Sequence, residues 1–194
     1  AAIARGYEAD EIAASEAADR LGGSDRVVTL SRSGTVASAF SEASPEETVV
    51  AESLPGGEGV EFADELDVPT RLVPDSCVPR EIKEADAVLV GADAVLPDGT
   101  VFNKVGTLAA ALGARHHDKP FLVVASADKI APADGGGYEN EYLEVRGSRV
   151  AIFEPVPPNL VEIITEEGIL SEKEVHERAG EHTRLRRSLT GTET

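Results

Sequence analysis

Short runs of Val, Leu and Ile that do not alternate with polar residues constrain this chain most. They fall at residues 26–30, 48–52, 70–74, 86–91, 120–126 and 149–153. A strand with one wet face alternates, whereas a strand covered on both faces reads as continuous apolar sequence, as in a parallel sheet packed between helices. The segments between the runs supply such helices at 33–43, 57–66 and 79–85. Val105, Leu108, Ala109 and Leu112 follow at i, i+3, i+4 and i+7, the spacing of one helical face.

Strand alternating with helix predicts an α/β fold: a doubly wound, Rossmann-like parallel sheet with right-handed crossovers. An Ala-rich leading helix over 3–21 is ended by Gly22 and Gly23. A further helix over 159–167 is expected after Pro157 and Pro158, a helix-start signal. Residues 133–144 contain three consecutive glycines and read as a surface loop; the charged residues after Glu172 read as a last helix and a frayed tail. The expected division is an N-terminal helical segment at 1–22, a ligand-binding domain at 23–172, and a charged C-terminal helix and tail at 173–194. No internal repeat is present. The chain starts at Ala1 and has no Met, which reads as a processed or trimmed product with something N-terminal missing.

Charge narrows the partners. Asp and Glu total 36 against 18 Lys and Arg, a formal charge of −18 over 194 residues. Nucleic-acid binding needs clustered cations, so direct DNA or RNA contact is not expected. Dispersed carboxylates with few Lys fit a protein of a high-salt cytoplasm, where screening weakens self-repulsion; a merely acidic protein from ordinary salt is the alternative. No apolar run is long enough to span a bilayer and no signal-peptide pattern opens the chain, so the expectation is a soluble, cytoplasmic protein without a membrane partner. Cys77 is the one cysteine, and the four histidines lack metal-site spacing, so no metal is expected. Nothing in the sequence calls for a cofactor.

In an open parallel sheet, ligands bind beyond the carboxyl ends of the strands. After the first run come Ser31, Arg32, Ser33, Gly34 and Thr35, entering a helix. Small hydroxyl residues and a glycine there offer backbone N–H groups and a positive dipole end for a phosphate, or simply a cap with an exposed Arg. Glu52 precedes a glycine-rich loop that lets backbone approach a ligand, or is a plain turn. Asp75 is a ligand carboxylate or an Asx turn, and Cys77 a small apolar packing residue. Asp93 ends the fourth run, where burial would raise its pKa for acid/base work. Asn103 and Lys104 approach a helix start, placed to bind a sugar hydroxyl and an anion, or to serve structure alone.

Taken in order, these segments resemble a known family. The run 88–93 (VLVGAD) and the run 98–107 (DGTVFNKVGT) are similar to the Gly-Ala-Asp…Asn-Lys-Ile-Gly-Thr pattern of ribose-1,5-bisphosphate isomerases, methylthioribose-1-phosphate isomerases and the regulatory alpha, beta and delta subunits of translation initiation factor 2B. Thr29, Ser31 and Ser33, then Glu52, Ser53 and Pro55, then Asp75 and Ser76, and the runs 119–124 and 157–168 extend the match over about 27–170. The resemblance implies a phosphosugar or nucleotide-phosphate pocket, and assembly with further copies or related subunits. It also implies that residues 1–22 are the remnant of a helical domain that precedes this one in the family. It places the isomerases' catalytic aspartate at Asp93 and their cysteine at Ser31. Their histidine falls at Leu30 and their phosphate-clamping arginine at Leu54. A hydroxyl is a far weaker acid than a thiol, and losing the arginine removes a bidentate clamp. The expectation is therefore a binding or regulatory protein rather than an efficient isomerase, with a divergent sugar-phosphate isomerase as the alternative and a pure assembly module, using the helix after Pro158, as a third.

Overall fold

The computed structural model describes residues 2–135 and 140–190, the side chains of residues 2–5 excepted. The elements run α1 (Ala2–Leu21), β1 (Arg26–Thr29), α2 (Gly34–Ala43), β2 (Glu47–Ala51), α3 (Glu58–Glu65), β3 (Thr70–Val73), α4 (Val78–Glu84) and β4 (Ala87–Val90). Then follow β5 (Ala94–Val95), β6 (Val101–Lys104), α5 (Thr107–His116), β7 (Phe121–Val124), β8 (Tyr142–Val145), β9 (Ser148–Ala151), β10 (Phe153–Val156), β11 (Glu162–Thr165), β12 (Gly168–Leu170) and α6 (Glu172–Thr190).

The main sheet has the order β3-β2-β1-β4-β7-β11-β12. The first six are parallel and β12 closes the edge antiparallel. Counting only the parallel strands, the spatial order is 3-2-1-4-5-6, so the winding direction reverses between β1 and β4, and a crevice opens beyond their carboxyl ends. The sheet is covered on both faces, as the unbroken apolar runs require. One face carries Val28, Val49, Val88 and Val123 against Ile82 of α4, Ala110 and Ala111 of α5, and Val175 of α6. The other carries Val27, Val50, Leu89 and Ile164 against Ala13 and Ala17 of α1, Phe40 of α2 and Phe62 of α3.

Three expectations need correction. The run at 149–153 is not a strand of the parallel sheet: β9 pairs with β8 in an exposed antiparallel hairpin, and β10 pairs with β6 in a three-stranded antiparallel sheet with β5. Residues 159–167 are not a helix. Pro158–Leu160 make one 3-10 turn, and β11 follows, because consecutive β-branched Ile163 and Ile164 bury themselves on opposite faces of the sheet. The assembly surface expected on a helix after Pro158 therefore has no helix to carry it. In α5 the inward face is Thr107, Ala110, Ala111 and Ala114, not the apolar stripe ending at Leu112, which is 53% exposed. Small side chains bring this helix close to the sheet. The charged C-terminal segment is helical over α6, while the expected frayed tail at 191–194 and part of the loop expected over 133–144, residues 136–139, lie outside the described residues.

Candidate functional site

The crevice between the ends of β1 and β4 is a cavity of about 830 Å³. Leu30 to Thr35 form one wall and Gly91 to Asp93 another; Glu58, Asn103, Lys129 and Phe153, with Tyr7, Asp10 and Glu11 of α1, also line it.

The strand ends are tied together by a chain of hydrogen bonds. The carboxylate of Asp75, just after β3, accepts from the backbone N–H groups of Ser53 and Leu54, both at 2.8 Å. This fixes the turn after β2. Ser53 is buried, donates its hydroxyl to the Ala51 carbonyl at 3.0 Å, and accepts the N–H of Ser31 at 2.6 Å. Ser31 has a left-handed backbone (φ 65°), uncommon for a residue with a Cβ, and this bond helps to hold it there. Its hydroxyl donates to Glu58 at 3.0 Å. The two carboxylate oxygens of Glu58 in turn lie 2.7 and 2.8 Å from Lys104 Nζ. Two glycines make this possible. A Cβ on Gly56 would stand 2.2 Å from Glu58 Oε2, and one on Gly59 would stand 1.8 Å from the Ala51 carbonyl oxygen, where α3 presses on the end of β2.

Helix N-termini at this edge differ in what they hold. The N–H groups of Gly106 and Leu108 at the start of α5 donate to Glu154 of β10 at 2.7 and 2.9 Å, so a protein carboxylate already fills that position. α3 has Glu58 and Glu61 in its own first turn. α2 is capped by Ser33, whose hydroxyl accepts the Val36 N–H at 3.3 Å, and its first residues face the cavity. The end of β4 meets this cap closely, since a Cβ on Gly91 would lie 2.9 Å from Ser33 Oγ.

The sequence-derived site residues therefore separate. Ser31, Arg32, Ser33, Gly34, Asp93 and Asn103 line one cavity; Lys104 is buried and reached through Glu58. Glu52 and Asp75 are not in its wall, and the Asp75 carboxylate is engaged by backbone. Cys77, in the 3-10 turn after β3, is partly buried against the core and also outside the cavity wall. Arg32 is exposed and paired with Glu65 at 2.7 Å; the hydrogen bond and charge of Glu65 raise its already high pKa. Asn103 donates to Thr107 Oγ1 at 3.1 Å and lines the cavity. Asp93 opens into the cleft, where desolvation by the surrounding walls raises its carboxyl pKa; Lys129 opposes that rise, and Glu141 and Glu58 add to it. Lys129 Nζ donates to the Ala92 carbonyl at 2.6 Å.

Reading the sequence missed Glu58, Lys129 and the lining residues of α1. Glu58 had a local signal, a carboxylate among glycines that let backbones close in. Lys129 had none, because only the sheet order brings the turn after β7 beside the end of β4. Among the described residues no cluster of His, Cys, Asp and Glu is arranged to hold a metal, and no helix is long and apolar enough to cross a membrane.

Residues 2–172 match the model of the initiation factor 2 subunit family. The chain belongs to that family. Within it the chain is similar to proteins of two kinds. The ribose 1,5-bisphosphate isomerase of Haloferax volcanii is 34% identical over 177 residues, covering 78% of this chain and 54% of that protein. Translation initiation factor eIF2B subunit alpha of Dictyostelium discoideum is 38% identical over 85 residues, 42% of this chain and 26% of that protein. Among solved structures, the translation initiation factor eIF-2B of Pyrococcus horikoshii OT3 matches with a TM-score of 0.73 at 28% identity, over 87% of this chain and 66% of that one. The chain thus spans about half the length of the Haloferax relative and about a quarter of the Dictyostelium one.

Proposed function

We propose that this family member binds a phosphosugar or a nucleotide phosphate in the β1–β4 cleft and acts as a regulatory protein of the initiation factor 2B kind rather than as an isomerase. The observation that carries the reading is the environment of Ser31. This residue sits at the sheet's reversal point with its hydroxyl donating to a carboxylate already paired with Lys104. That carboxylate is neutralised by Lys104 at 2.7 Å, which weakens it as a base, and no histidine is among the hydroxyl's described partners, so Ser31 reads as a binding group and not as an activated acid or nucleophile. The phosphate would lie over the N–H groups of Gly34 and Thr35, with Ser33 and Arg32 beside it.

Divergent isomerase activity is the second reading. Asp93 supports it, since a carboxyl raised by desolvation beside a lysine suits acid/base work. The two are separated by thermal shift and turnover with ribose 1,5-bisphosphate, ribose 5-phosphate and AMP. We expect a shift without aldose–ketose turnover. Restoring the pattern of the isomerases with Leu30→His and Ser31→Cys should then give measurable turnover, because a missing acid/base partner typically costs about two to four orders of magnitude. Robust turnover by the unaltered chain, lost in Asp93→Asn, overturns the regulatory reading, and no shift with any phosphate overturns binding.

Assembly with further copies or related subunits belongs to the same proposal, supported by Leu185 and Leu189 exposed on α6. So does adaptation to high salt, supported by the charge of −18. The melting temperature should rise from low to molar KCl as carboxylate repulsion is screened; a flat or falling profile removes the salt reading.

A further inference from the structure

Among the described residues that line the cavity, available positive charge is scarce for a site expected to hold phosphate. Asp10, Glu11, Glu58, Glu65 and Asp93 line it, against Arg32 and Lys129. Arg32 is already paired with Glu65, and Lys129 donates to a backbone carbonyl. A further cation behind Glu58, Lys104, is almost fully covered, with 5% of its side chain exposed, and its ammonium is held by both oxygens of Glu58. The Glu58 side chain is 27% exposed. Toward the cleft it also takes the Ser31 hydroxyl, and its charge reaches Asp93, whose carboxyl it helps to raise.

Glu58 is therefore an anion standing where a second anion would otherwise meet Lys104 and Ser31. It is fixed there by construction. Gly56 lacks the Cβ that would collide with it, and Gly59 lets α3 press on the end of β2, so the helix start cannot retreat without losing that contact. Among the described residues, no carboxylate is hydrogen-bonded to the N–H groups of the α2 N-terminus. One end of the cavity thus accepts a dianionic group through backbone N–H groups. The other end, around Glu58, presents acceptor oxygens whose natural partners are neutral hydroxyl donors.

We propose that Glu58 is the specificity-determining residue of this cleft, and that it selects phosphate monoesters bearing free hydroxyls over bisphosphates. The inference rests on the phosphate reading above and names the ligand class within it. A phosphosugar would place its single phosphate over Gly34 and Thr35 and direct hydroxyls toward Glu58 and Asn103. A second phosphate would meet the Glu58 carboxylate, and would have to displace it from Lys104 to bind.

Isothermal titration of ribose 5-phosphate and ribose 1,5-bisphosphate against the unaltered chain and Glu58→Gln, at one fixed salt concentration, tests this. The unaltered chain should bind the monophosphate at least about tenfold more tightly than the bisphosphate. Glu58→Gln keeps the side-chain shape and the contact to Ser31 but frees the Lys104 charge, so the bisphosphate should gain at least about tenfold while the monophosphate changes little. Tighter binding of the bisphosphate by the unaltered chain, or an unchanged ratio in Glu58→Gln, overturns the role of Glu58 while leaving the phosphate cleft standing. Binding of neither compound by the unaltered chain or by Glu58→Gln removes the cleft reading itself. If Glu58→Gln loses the folded circular-dichroism spectrum, the preference of the unaltered chain decides alone.

Discussion

Ser31 and Ser53 occupy matching places just beyond neighbouring strands, and both have φ of 65°. Their surroundings differ. Ser53 is 1% exposed, with its hydroxyl between the Ala51 carbonyl and the Ser31 N–H and its own N–H held by Asp75. Ser31 faces the cavity, and its hydroxyl meets the Glu58 carboxylate, which lines the same cavity. The same residue in the same backbone conformation is scaffold at one strand end and site at the next. What separates them is the reversal of winding: β1 has β2 on one side and β4 on the other, so the loop after β1 borders the cavity, while the Ser53 turn after β2 is tied to its neighbours through Asp75 and the Ser31 N–H.

The largest expected effect breaks the scaffold side. Asp75→Ala removes the acceptor of two backbone N–H groups, and should lower stability by about 2–3 kcal/mol in denaturant titration. Ligand affinity should fall with it, although Asp75 is outside the cavity wall. A variant as stable as the parent would mean that the Ser53 turn holds itself.

Substituting the serines in parallel is the intermediate test. Ser53→Ala leaves the Ser31 N–H without its partner in a partly buried position, and should cost about 1–2 kcal/mol. Ser31→Ala should cost less than about 1 kcal/mol, because Glu58 keeps Lys104, yet it should weaken phosphosugar binding more than its effect on stability accounts for. Equal losses of stability would erase the distinction between the two strand ends.

The smallest effect sets Asp93 against Asp75. The carboxyl pKa of Asp93 is raised in the folded state, above its ordinary value of 3.8. Between the unfolded and the folded pKa the native state binds more protons, so the contribution of Asp93 to stability declines as pH rises through that window. Asp93→Asn should therefore melt slightly higher than the parent at neutral pH, opposite in sign to Asp75→Ala. The difference should shrink as pH falls below the ordinary carboxylate range. Melting curves of both variants from pH 3 to 7, on the order of the range where carboxyls titrate, would show whether the signs differ.

How far the sequence could be read follows from the same geometry. The strands of the parallel sheet up to β7 are legible because burial on both faces leaves apolar runs such as Val27–Val28 and Val88–Leu89–Val90. β11 is not, because Pro157 and Pro158 imitate a helix start and the β-branched pair Ile163 and Ile164 falls within the helix that start predicts. β5 and β6 are short and carry polar Asn103 and Lys104, so no apolar run marks them. Within the candidate site, Ser31 to Gly34 and Asp93 could be placed at strand ends by local pattern. The roles of Glu58 and Asp75 could not, since whether a carboxylate meets a lysine, a backbone turn or open solvent is decided by partners far away in sequence.

One consequence concerns the order in which the chain can assemble. α1 packs against α2 but also against β11 and β7, and Arg20 at its end pairs with Glu162 of β11 at 3.1 Å. The strands β1 to β3 can pair among themselves over a continuous stretch of 48 residues, Arg26 through Val73. The alanine face of α1, by contrast, finds its full cover only after β11, 142 positions from Arg20 to Glu162, has joined the sheet. On a ribosome α1 would emerge well ahead of the last parallel strand and wait for it, with the part of its small apolar face that α2 does not cover open to other chains meanwhile. The late closure of a long loop sets the pace of such a topology. A chain stopped short of β11 would expose that waiting face permanently and would be drawn toward aggregation, however well its first three strands had formed.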